Sequence, residues 1–146
     1  MFDPRPHIHH SSPSIRLDWE SIRTVLLDMD GTLLDLHYDN YFWRHFVPER
    51  YAEKHGMPFE EAVRLLTDRF RREEGTLNWT DIDYWSDQLG LDIPMLKERV
   101  HHLIDVHPYV IPFLEFVRGR GIRTVIVTDA HGKTLDIKMR KTDIGN

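Results

Sequence analysis

The sequence predicts an α/β protein, with a partial parallel core and a helical region inserted after its first strand. Three observations lead there. Thr24-Val25-Leu26-Leu27 and Thr124-Val125-Ile126-Val127 are short continuous apolar runs, each opened by β-branched residues, as expected of strands buried on both faces. Between them apolar residues recur at helical spacing, without the alternation of a half-buried strand. The order strand, helices, strand is the building unit of a parallel sheet.

The elements follow in order along the chain. Residues 1–14 read as a flexible tail in which His7, His9 and His10 stand beside Ser11, Ser12 and Pro13, and a solvated tail is expected there rather than a metal site. Order should begin near Ile15, and the first strand should end where Asp28 and Gly31 break the run. Asp39 or Asn40 is the expected cap of a helix carrying Tyr41, Phe42, Phe46 and Val47, with Pro48 marking a kink or break. Pro58 suits the first turn of a second helix with Ala62, Leu65, Leu66 and Phe70, closed near Gly75. Thr80 with Asp83 reads as a variant capping box for a third helix that ends at Gly90. Asp92 and Pro94 open a fourth, with Leu96, Val100, Leu103 and Ile104 on one face. A fifth, around Phe113 to Val117, leads through Gly119 and Gly121 into the second strand. The expected division is a core of residues 15–34 and 106–146, with a helical cap of residues 35–105.

Bulk properties narrow the function. The chain has 146 residues, 40% of them hydrophobic and 29% charged, which suits a globular domain with its own core. No apolar run approaches the ~20 residues of a membrane-spanning helix, so no membrane partner is expected. The net charge of −5 argues against a nucleic-acid backbone as the main partner. Cysteine is absent, which excludes a disulfide framework and a thiolate metal site and fits a cytoplasmic setting.

The chemistry concentrates at Asp28-Met29-Asp30-Gly31-Thr32, directly after the first strand. In open α/β sheets the ligand site lies beyond the carboxyl ends of the strands. Asp28 at the strand end is the candidate nucleophile on phosphorus. Asp30 is the candidate acid/base, protonating the leaving oxygen and then activating water. Gly31 permits the sharp turn. Two carboxylates beside a phosphate call for a hard divalent cation, and Mg²⁺ held by Asp28 and Asp30 suits that task. At the end of the second strand, Thr128 and the backbone N–H groups after it are the matching phosphate-binding candidates, Asp129 among them. Aromatic residues near polar groups in the inserted region can stack on a base, or pack helices together.

The segment Leu26-Leu27-Asp28-Met29-Asp30-Gly31-Thr32-Leu33-Leu34-Asp35 resembles the first motif of the haloacid-dehalogenase-like hydrolase superfamily, and Val127-Thr128-Asp129-Ala130 resembles its second. The resemblance implies a Rossmann-like parallel core, an aspartyl-phosphate intermediate and Mg²⁺. It carries Asp28 over as nucleophile, Asp30 as acid/base and Thr128 as phosphate binder, with the backbone carbonyl of Asp30 as a further metal ligand. Leu36-His37-Tyr38-Asp39-Asn40-Tyr41-Phe42-Trp43, Thr76-Leu77-Asn78-Trp79 and Ile82-Asp83-Tyr84-Trp85 resemble the cap of bacterial GMP/IMP 5′-nucleotidases within that superfamily. From this come the substrate candidates Asp39, Tyr41, Trp43, Asn78, Trp79 and Trp85, and a small phosphorylated metabolite, a purine nucleoside monophosphate, as partner. Rival readings are a phosphoglycolate or sugar-phosphate phosphatase, a phosphomutase, and a catalytically silent fragment or binding module.

The pattern departs at Asp129, where Asn is expected. It also lacks matches to the family's third and fourth motifs, a lysine that steadies the phosphate and a further acidic pair. Lys133 follows the second strand too closely to match. Lys138 and Lys141 fall on the next helix, where a solvated face is expected. The core is therefore expected to be incomplete, its C-terminal strands missing and its sheet flank open to association.

Overall fold

The computed structural model describes residues 16–145, and the tail with its three histidines lies outside them. Strand β1 (Thr24–Leu27) pairs in parallel with β2 (Arg123–Ile126), in the register Leu27 to Ile126. The pairing extends one step further through a 2.8 Å bond from the Val127 N–H to the Leu27 carbonyl. Both strands thus leave the sheet side by side, at the edge where the aspartates begin.

All the helical elements between Asp35 and Val106 are inserted between these strands. They comprise α1 (His37–Tyr41), a π turn (Phe42–Phe46), α2 (Val47–His55), α3 (Phe59–Glu73), a 3₁₀ turn (Leu77–Trp79), α4 (Ile82–Leu89), α5 (Ile93–Arg99) and a second 3₁₀ turn (His101–Leu103). Helix α6 (Val110–Gly119) returns the chain to β2, and α7 (Gly132–Lys141) follows. The two ends of the insertion run antiparallel: Leu34 pairs with Val106, Asp35 N–H donates to Asp105 O, and His107 N–H donates to Leu33 O. The fold is α/β, with a parallel pair as its sheet among the described residues.

Several local expectations need correction. The helix expected to be capped by Asp39 or Asn40 begins earlier, because the Asp35 carboxylate accepts the His37 N–H at 2.8 Å. Asp39 is then a mid-helix residue whose side chain is free for other work. Pro48, expected to mark a kink or break, does not break the helix. Its ring would collide with the carbonyl of Arg44 in a regular α-helix. Arg44 lies in the π turn, whose wider register relieves that clash, and the rod continues to Gly56, where φ is 64°.

Helix α4 is capped by Asp81 rather than Thr80: its carboxylate accepts the N–H groups of Asp83 and Tyr84. The fourth helix stops at Arg99, so Leu103 and Ile104 lie beyond it. Asp92 caps that helix as expected, accepting the Met95 N–H at 2.9 Å.

The core sits mainly in the insertion. Tyr38, Phe42, Leu66, Trp85 and Ile93 are buried there, joined by Met29, Leu33 and Leu34 from the turn after β1. The strands are less covered than their continuous apolar runs suggest. Leu26 is 67% exposed and Val127 55%. A two-stranded sheet gives the side chains on its second face nothing to pack against.

Candidate functional site

The turn after β1 is built by its own backbone. Gly31 N–H donates to Leu34 O, while Leu33 and Leu34 N–H both reach Met29 O. Gly31 adopts φ 79°, which only glycine takes without strain. Met29 points into the core with no exposure, while Asp30, but not Asp28, lines the cleft described below. Asp28 is exposed, and among the described residues its carboxylate has no ion-pair partner. Thr32 Oγ1 donates to its Oδ2 at 3.2 Å, leaving Oδ1 uncommitted.

Asp30 is more enclosed. Burial pushes its carboxyl above the usual carboxylate range, against the opposing pull of the Lys138 ammonium. Lys138 Nζ lies 2.5 Å from Asp30 Oδ1 and 2.6 Å from Asp39 Oδ2, and is 1% exposed. This overturns the expectation of a solvated lysine. The α7 face that carries Lys138 also carries Thr134 and Ile137, and is covered by the insertion.

Sequence reasoning missed Lys97 entirely. Its Nζ donates to Asp39 Oδ1 at 2.9 Å and lies over the rings of Tyr38, Phe42 and Trp43 at 4.8, 4.5 and 5.5 Å. Burial lowers the Lys97 pKa, partly offset by Asp39. Asp39 shows the opposite balance: burial raises it, but Lys97 and Lys138 together hold it below the ordinary range.

Over these groups lies an open cleft of about 710 Å³. Asp30, Asp39, Trp43, Trp79 and Asp129 line it, along with Lys97 and Lys138. Its size suits a drug-sized or nucleotide-sized ligand. Thr134 Oγ1, buried and without a hydrogen-bond partner, also borders it. Thr128, at the end of β2, accepts the Ala130 N–H through Oγ1 at 3.1 Å, which leaves its O–H proton available to donate.

The other substrate candidates have structural partners instead. Trp85 is 2% exposed, stacks edge-on against Phe70 and donates its Nε1–H to Trp79 O at 3.0 Å. Asn78 donates to Glu73 Oε2, and Tyr41 stacks on His45 and Phe46. None of these three lines the cleft.

A different acidic group, Asp81, Asp83 and His131, brings its ligand atoms within 4.8 Å of one another. Lys133 Nζ already sits 2.6 and 2.8 Å from the Asp83 oxygens, so one of the three candidate ligands is already paired with an ammonium. For the cation expected beside Asp28, the donors present are hard oxygens, and they fit Mg²⁺. Asp30 Oδ1 is taken by Lys138, so the Asp28 carboxylate and the Asp30 backbone carbonyl are the groups that match.

A parallel strand pair carrying Asp-x-Asp after one strand and Thr after the next, roofed by inserted helices, is the arrangement of a class of α/β hydrolases. The chain belongs to the haloacid dehalogenase-like hydrolase family, whose pattern it matches over residues 25–146. It is 41% identical over 130 residues to the GMP/IMP nucleotidase YrfG of Escherichia coli (strain K12), and equally to that of Shigella flexneri. The match covers 89% of this chain and 59% of those relatives. Among solved structures it resembles a HAD phosphatase from Thermococcus onnurineus, with a TM-score of 0.73 and 26% identity over 84% of this chain and 58% of that one. The fold is shared, at a TM-score of 0.54 and 22% identity, by a putative beta-phosphoglucomutase from Thermotoga maritima, covering 85% of this chain and 57% of that one.

Proposed function

We propose that this chain carries the nucleophile and acid/base portion of a Mg²⁺-dependent phosphomonoesterase acting on purine nucleoside 5′-monophosphates. The observation that carries the reading is that β1 and β2 end side by side, so that Asp28, Asp30 and Thr128 follow the same sheet edge, with Asp30 lining the aromatic cleft. The similarity to GMP/IMP nucleotidases supports the purine monophosphate as substrate.

In this reading Asp28 Oδ1, the oxygen Thr32 leaves free, attacks phosphorus as the bond to the ester oxygen breaks. Asp30 gives that oxygen a proton, for which its raised pKa suits it. Asp30 then takes a proton from the water that attacks the aspartyl phosphate, which frees inorganic phosphate and restores Asp28. The Thr128 hydroxyl and the N–H groups after it hold the phosphate oxygens. Bound Mg²⁺ supplies the positive charge that lets two carboxylates and a phosphate share the site. Trp43 and Trp79, both lining the cleft, offer faces on which a base can stack. We propose further that residues 35–105 act as a cap over a core of 15–34 and 106–146, joined where Leu34 meets Val106.

The test is Mg²⁺-dependent phosphate release by residues 1–146 from a panel of GMP, IMP, AMP, phosphoglycolate and sugar phosphates. Release from GMP and IMP, lost in Asp28→Asn, supports the reading. A preference for the sugar phosphates or phosphoglycolate would replace the substrate. Activity surviving in Asp28→Asn would remove the covalent route.

A further inference from the structure

Asp30, Lys138, Asp39 and Lys97 form an unbroken series of alternating charges, with contacts of 2.5, 2.6 and 2.9 Å. The series crosses from the turn after β1, through α7, to helices α1 and α5 of the insertion. Both lysines are buried, and the Lys138 ammonium also lies 5.6 Å from the Tyr38 ring. Burying two lysines against half-enclosed carboxylates is costly, and apolar side chains of similar volume usually stabilise a fold at least as well. What an ionic series provides and an apolar cluster does not is a fixed place for a carboxylate. Asp30 needs one. It sits at the start of a glycine turn, and among the described residues its ion pairing is with Lys138 alone.

We propose that Lys138 is the positioning residue for Asp30, and that its own place is set by the insertion through Asp39. The proposal rests on the reading of Asp30 as acid/base. By engaging Oδ1, Lys138 leaves Oδ2 as the oxygen that faces the leaving group. Lys138 is a rigid bridge only while Asp39 holds it from the other side. Asp39 in turn is fixed by Lys97, and it shares a helical rod with Trp43, a wall of the cleft.

Two measurements on residues 1–146 test this. The first needs no turnover. Thermal unfolding of Asp30→Asn, Asp39→Asn and the double variant should give non-additive shifts while Lys138 is present. The shifts should become additive in a Lys138→Met background, with Lys138→Gln serving the same cycle if the Met variant does not fold. Additive shifts with Lys138 in place, or coupling that persists without it, would overturn the bridge. The second is Mg²⁺-dependent GMP hydrolysis. Lys138→Met should lower kcat by at least about ten-fold with KM little changed, and should add no loss to Asp30→Asn. An unchanged kcat, a loss confined to KM, or a further fall on top of Asp30→Asn would overturn the positioning role. If the unaltered chain hydrolyses nothing, the hydrolase reading fails, and the unfolding cycle alone decides the bridge.

Discussion

Asp28 and Asp30 are two residues apart and live in different electrostatic surroundings. Asp28 is exposed, with one hydroxyl for company, while Asp30 is half-enclosed beside an ammonium. Asp28→Asn should abolish turnover and phosphoenzyme formation with the fold intact, read by phosphate release and acid-quench labelling. Asp30→Asn should slow turnover about 10²–10⁴-fold and let the phosphoenzyme accumulate.

Asp39 makes a prediction about pH. Its pKa is lower folded than unfolded, so the unfolded chain binds the proton more readily and stability rises with pH through that window. The stabilisation is complete above the ordinary carboxylate pKa of ~3.9 and is lost as pH falls through the lower folded value. Asp39→Asn should cost about 3 kcal/mol at pH 7, the low end for breaking a buried pair because the side chain keeps 23% exposure. It should also flatten the acid limb of a stability–pH curve measured by urea unfolding.

At this scale the sequence was legible where chemistry is local. Asp-x-Asp-Gly after an apolar run is readable from five residues. Lys138 was not, because its partners lie 108 and 99 positions away, and helical periodicity does not reveal which face a distant insertion will cover.

Helices α3 and α4 divide the aromatic residues into two kinds. Trp85 joins Phe70 and Trp43 in edge-on contacts at 5.0 and 6.0 Å and is shut away from the cleft. Trp85→Ala should cost about 3–5 kcal/mol in thermal or denaturant unfolding. Trp79 is 37% exposed at the cleft rim, so Trp79→Ala should barely change stability and should raise KM for GMP, by the ~1–3 kcal/mol that aromatic stacking on a base contributes. From sequence alone both read as tryptophans near polar residues, and nothing in their spacing separates them. Caps were easier to foresee in kind than in place. Asp92 was found at its position, whereas Asp81 displaced Thr80 because a carboxylate there reaches two N–H groups at once.

For the whole molecule, the order strand, helical insertion, helix, strand was readable because each segment declares its own period. The extent of sheet coverage was not, since a continuous apolar run says what a strand needs rather than what it meets. Leu26 and Val127 form an exposed apolar face among the described residues, and such faces associate. Leu26→Lys should reduce self-association in sedimentation velocity while leaving the melting temperature nearly unchanged. Excess chelator should stop any hydrolysis, and Ca²⁺ should restore it poorly, because its longer and looser coordination misplaces the phosphate relative to Asp28.

The π turn at Phe42–Phe46 has a mechanical consequence. Because it absorbs Pro48 without a break, His37 to His55 is one continuous spar, roughly 28 Å long at helical rise. Its far half packs on α3, and its near end carries Asp39. A spar of this kind transmits displacement: when α3 shifts against one end, the carboxylate at the other travels with it. Repacking at Leu66, fully buried in α3, should therefore be felt at a carboxylate held by Lys97 and Lys138.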